Sequence, residues 1–137
     1  HHVDLEERDI GYHLYDLYSL ARLRLMRPEH DLWKTEIIRK AVQYAISDLF
    51  FNSLDGNHYA YPYNAPGFEY PIITHAFGDI SQNVETCMSK AWDIQCNKTR
   101  NEKTQQFDLG TYDPLTLSAR VYELAISLYK DLKQEEK

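Results

Sequence analysis

Apolar residues recur with helical spacing in four long segments of the chain. The first predicts a helix over about residues 9–26, with Ile10, Leu14, Leu17, Ala21 and Leu25 on one face. Tyr12, Tyr15 and Leu23 fall on the other side, so this helix is apolar nearly all round and needs cover on two sides. Pro28 stops it. The second runs over about 31–51: Ile38, Ala41, Val42, Ala45 and Leu49 form its stripe, and Glu36, Arg39, Lys40 and Gln43 face water. The short turn between them implies an antiparallel helical hairpin.

The third segment keeps one stripe through Ile73, Phe77, Ile80, Val84, Cys87, Ala91 and Ile94. That unbroken phase predicts a single helix over about 71–95, opened by Pro71 and absorbing Gly78 at a cost of about 1 kcal/mol. The fourth starts at Asp113-Pro114, an N-cap followed by proline at the first helical position, and covers about 114–133. It also carries two apolar faces, one through Leu117, Val121, Leu124, Leu128 and Leu132, the other through Leu115, Ala119, Tyr122 and Ile126. A helix in a lone four-helix bundle needs one stripe, so the surplus predicts cover from further chain or from a second copy.

The connections differ in kind. Residues 52–70 hold a turn signal, Asp55-Gly56, and prolines at 62 and 66, with Pro71 just beyond, that confine any strand there to an edge. The stretch after about residue 96 is polar and expected to be mobile or folded over a neighbour.

Composition narrows the function classes. The chain has 137 residues, 43% hydrophobic and 26% charged, which suits one helical domain spanning 1–137, on its own or within a larger protein. A net charge of −6 argues against nucleic-acid binding. The one basic cluster, Arg22, Arg24 and Arg27, suits the C-terminus of the first helix. Cys87 and Cys96 lack zinc spacing and, on one helix, lie about 13 Å apart along its axis, too far to bridge. No apolar run reaches membrane-span length and no signal peptide opens the chain, which favours a soluble, cytoplasmic protein. The leading His1-His2 is set aside as a tag-like remnant, and no motif implies a cofactor or metal.

Eleven tyrosines against five phenylalanines are unusual, and they concentrate in "YAYPYNAPGFEYPIITHAFGD", residues 59–79. In an extended loop Tyr59, Tyr61 and Tyr63 point to one side beside Asn64, an arrangement suited to stacking sugar rings and bonding their hydroxyls. Glu69 lies at the mouth of the third helix. His75 and Asp79, four apart, share its polar face, where a carboxylate can orient an imidazole for acid–base work. The candidate site is therefore Glu69, His75 and Asp79 for chemistry, with Tyr59, Tyr61, Tyr63 and Asn64 for binding.

The segments "GYHLYDLYSLARL", "SLDGNHYAYPYN" and "GFEYPIITHAFGD" together resemble the (α/α) toroid proteins, which include N-acylglucosamine 2-epimerase-type enzymes and unsaturated glycuronyl hydrolases. The resemblance implies an all-α fold of helical hairpins, a carbohydrate ligand, and glycoside hydrolysis or sugar epimerisation. A complete toroid needs more hairpins than two, so it also implies a piece of a larger protein. The alternative from the residues alone is a four-helix bundle serving as an interaction or dimerisation module.

Overall fold

The computed structural model describes residues 2–81 and 85–135. The fold is all-α, as the apolar periods predict, with one two-stranded ribbon. Helix α1 spans His2–Met26 and buries Leu14, Leu17, Tyr18 and Ala21. It starts earlier than its apolar pattern because Leu5, Glu6, Glu7 and Arg8 are good helix formers and Asp4 sits favourably in the first turn.

The helix expected over 31–51 is divided. A 3-10 helix, Asp31–Lys34, is followed by α2, Glu36–Ala45, and α3, Asp48–Ser53. Ser47 makes the second break: its backbone is extended, and its Oγ accepts from the Phe50 N–H at 3.2 Å, capping α3. The break resets the helical phase. Ile38, Val42 and Ala45 of the expected stripe are buried, while Leu49 is 75% exposed.

The loop after α3 is built from turns, with Gly56 at φ +70°, and carries no strand. Asn57 and Asn64 pin it to α1. The Asn57 amide donates to the Glu7 carbonyl at 2.9 Å, and Asn64 Nδ2 donates to the carbonyls of Gly11 at 3.0 Å and Tyr59 at 2.6 Å. A Cβ at Gly11 would stand 2.4 Å from the Tyr59 Cβ, so only glycine admits this approach.

The single helix expected over 71–95 is also corrected. Helix α4 begins at Pro66 and ends at Ala76, with Pro71 inside it; the chain then turns over 77–80, and α5 spans Glu85–Thr99. Val84 of the expected stripe lies outside the described residues. Phe77 is fully buried against Trp33 and the Arg24 guanidinium, and Gly78 follows it in the turn. The break lets α4 and α5 pack face to face, which one continuous helix could not do. A Cβ on Gly67 would meet the Ala91 carbonyl oxygen at 2.6 Å, and Gln95 Oε1 accepts the Gly67 N–H at 3.3 Å.

Strands β1, Arg100–Asn101, and β2, Gln106–Phe107, pair antiparallel in the connection that follows. That connection folds over a neighbour: Phe107 packs edge-on to Phe68 at 5.0 Å, and the Tyr112 N–H donates to the Pro62 carbonyl at 2.7 Å. Helix α6, Pro114–Glu135, starts where the Asp-Pro signal places it, with Asp113 Oδ1 accepting from the Thr116 N–H at 2.9 Å. Helix α4 is the hub, packing against α1, α5 and α6. Among the described residues no helix is long and apolar enough to cross a membrane.

Candidate functional site

Three helices bring ionisable side chains together around Arg120 of α6. Its Nε donates to Glu69 Oε1 of α4 at 3.1 Å, and its Nη1 donates to Glu123 Oε2 at 3.2 Å. The guanidinium also lies over the rings of Tyr18, 4.0 Å from the centroid, and Tyr15, at 5.1 Å, both on α1. Arg120 is thus desolvated, stacked and bound to two carboxylates, so its orientation is fixed by every neighbour.

The two carboxylates experience opposite environments. Glu69 lies in the first turn of α4 and is fully buried. Burial pushes its carboxyl up to about 7 against the pull of Arg120, with Asp16 and Glu123 adding to the rise. Its second oxygen, Oε2, has no hydrogen-bond partner among the described residues, a heavy cost for a charged form. Burial also raises Glu123, but three donors outweigh it and hold its carboxyl below the usual range: the Tyr18 hydroxyl, Arg120 and Arg22. Tyr18 donates to Glu123 Oε2, and Arg22 Nη1 pairs with Glu123 Oε1 at 3.1 Å. Glu123 is therefore ionised near neutrality while Glu69 is poised between forms. A pair split in this way is a candidate for acid–base work, as it is for a structural ion-pair network.

Glu123 also faces a cleft of about 370 Å³ lined by Arg22, Leu25, Met26, His75, Glu123, Ile126, Ser127 and Lys130. That size lies in the range of small-ligand sites.

The sequence-predicted residues divide between this cleft and elsewhere. Glu69 stands behind it, one guanidinium away, and His75 lies exposed on its wall. Asp79 is not on a helical face with His75: it lies beyond the end of α4 and pairs with Arg24 at 3.0 Å, which lowers its carboxyl. The loop is turned, not extended, so its alternating tyrosines separate. Tyr61 is buried, and burial pushes its hydroxyl up. Tyr59 and Tyr63, half-buried, join Tyr12 in an aromatic cluster, with Tyr63 5.9 Å from Tyr12 and 6.0 Å from Tyr59. The Asn64 amide is taken up by the clamp onto α1.

Tyr18, Arg120 and Glu123 were not singled out from the sequence, and Arg22 and Arg24 were assigned to a helix end. Both arginines instead reach tertiary carboxylates. The local signals are faint: Tyr18 and Arg22 are four apart, Arg120 and Glu123 three apart, and either pair reads as a solvated helix face. Only the docking of α6 against α4 gives them their partners.

Among known proteins the chain is similar to "Archaeal glycosylation protein Q" of Haloferax volcanii, with 32% identity over 120 residues, covering 87% of this chain and 31% of that protein. The chain therefore spans less than a third of that relative's length. No family model matches it, and no solved structure matches it.

Proposed function

We propose that this chain is a helical part of a carbohydrate-active protein of glycan assembly or processing, built from hairpins of the (α/α) toroid kind, with its site in the cleft between α1, α4 and α6. The observation that carries the reading is Glu123, an ionised carboxylate held by Tyr18, Arg22 and Arg120 at the edge of that cleft. The similarity to a protein named for glycosylation supports a carbohydrate ligand. Glu123 acts as the base and His75, on the same cleft, as the second proton-transfer group; epimerisation needs such a pair, whereas glycoside hydrolysis would need a second carboxylate. Glu69 is a positioning residue. When it is neutral, the Arg120 charge falls on Glu123 alone and weakens it as a base; when it ionises, Glu123 strengthens. Asp79 fixes Arg24 beside the turn that ends α4.

The test is turnover of glycans by the intact protein in D2O, where deuterium uptake at a sugar carbon reports epimerisation and new reducing ends report hydrolysis. Glu123→Gln should lower turnover by about 10²–10⁴-fold. Glu69→Gln should retain activity but remove an inflection near pH 7 from the rate profile. Turnover unaffected by Glu123→Gln would refute the reading.

A second reading rests on the uncovered side of α6, where Leu115 is 82% and Tyr122 68% exposed. Such a face suits a helical interaction or dimerisation module. Light scattering separates the two: a concentration-dependent dimer that Leu115→Glu dissolves would favour this second reading.

A further inference from the structure

The same cleft has a charge imbalance that the proton-transfer pair does not use. Glu123 brings its one carboxylate, which pairs with Arg22 from α1 and with Arg120 from α6, the latter shared with Glu69 behind the cleft. Lys130 of α6 also lines the cleft and, among the described residues, has no anionic partner. Arg22 spends only Nη1 on Glu123 and on the Tyr18 hydroxyl, and its side chain is 46% exposed. Ser127 adds a hydroxyl one helical turn before Lys130. In a chain of net charge −6, this leaves a small region of unmatched positive charge beside the base.

We propose that this end of the cleft binds the phosphate group of a phosphorylated sugar, and so places the sugar ring against Glu123. The inference rests on the cleft being a carbohydrate site. Three separate donors, a guanidinium, an ammonium and a hydroxyl, line this cleft from two helices. That set suits the several oxygens of a phosphate, with Lys130 acting as a point charge. A sugar carboxylate is met by the in-plane fork of one arginine alone, whereas here Arg22, with Nη1 already on Glu123 and Tyr18, shares the cleft with an ammonium and a hydroxyl. The apolar side chains of Leu25, Met26 and Ile126 complete the wall. A nucleic-acid phosphate is disfavoured by the acidic balance of the chain.

The experiment is calorimetric titration of the intact protein with glucose 1-phosphate, with methyl glucoside and glucuronate as controls. Glucose 1-phosphate should bind, and weaken as salt is raised; methyl glucoside and glucuronate should bind at least about tenfold more weakly. Lys130→Ala should lose about tenfold in affinity and Lys130→Arg should keep most of it; both side chains stand at an exposed position that the fold does not depend on. Equal binding of glucose 1-phosphate and methyl glucoside, tighter binding of glucuronate, or unchanged affinity in Lys130→Ala would overturn the assignment. Glu123→Gln keeps the two readings apart. Phosphate binding should persist in that variant whether or not turnover is lost, so a failed turnover test leaves this result standing and a failed binding test leaves the acid–base reading intact.

Discussion

Helices α4 and α6 meet at Glu69 and Arg120, yet they use their surfaces in opposite ways. Helix α4 has eight buried residues in eleven, including the charged Glu69, because α1, α5 and α6 all pack against it. Helix α6 buries Leu117 and Leu124 on one side and leaves Leu115 and Tyr122 uncovered on the other. A helix enclosed on every side can hold a carboxyl away from water and raise its affinity for protons. A helix enclosed on one side can bring its polar groups to a cleft edge. The proposed site draws on both: Glu69 gains its raised titration from α4, and Glu123 its access to the cleft from α6.

Substitutions on the two helices should therefore differ sharply. The largest effect on stability is expected at the α4–α5 contact. Gly67→Val would press a side chain into the Ala91 carbonyl and Gln95, and should cost about 3 kcal/mol in chemical denaturation. A cost below that of an ordinary surface change would show that the two helices part easily.

Next comes the Glu69 titration. Its carboxyl is raised from the usual 4.5 to about 7, so the folded chain binds the proton more tightly than the unfolded chain. The contribution is full below about pH 4.5 and is lost as pH rises through about 7. Stability should fall over that window by roughly 2 kcal/mol, allowing for relaxation around a buried pair. Glu69→Gln should flatten the profile. The same slope in the variant would assign the pH dependence elsewhere.

The smallest effect is expected on the uncovered side of α6. Leu115→Ser should change stability by less than about 0.5 kcal/mol, because Leu115 has little contact to lose. A larger loss, measured at rising protein concentration, would mean that a partner covers this face.

The candidate site was legible in the sequence only in part. Glu69 and His75 could be picked out because an aromatic, proline-rich loop feeds straight into their helix, and both end up at or behind one cleft. Asp79 and the alternating tyrosines went astray for a shared reason. Their expected geometry assumed regular backbone, a continued helix in one case and an extended strand in the other, where the chain turns. Tyr18, Arg120 and Glu123 gave no signal of their own, since each needs a partner more than fifty residues away or bound to one.

By itself the sequence determined the all-α class, the start of α6 at Asp113-Pro114, the turn at Asp55-Gly56 and the surplus apolar face of α6. These depend on local chemistry: helical period, capping, and the backbone freedom of glycine. Tertiary structure alone decided where the long apolar stripes are cut. A stripe that keeps phase across Gly78 is locally as good as one helix, but folding α4 back onto α5 buries both faces at once. It alone also decided the titration of Glu69. Burial and a guanidinium from the far end of the chain set that property, and neither can be read from the residues beside it.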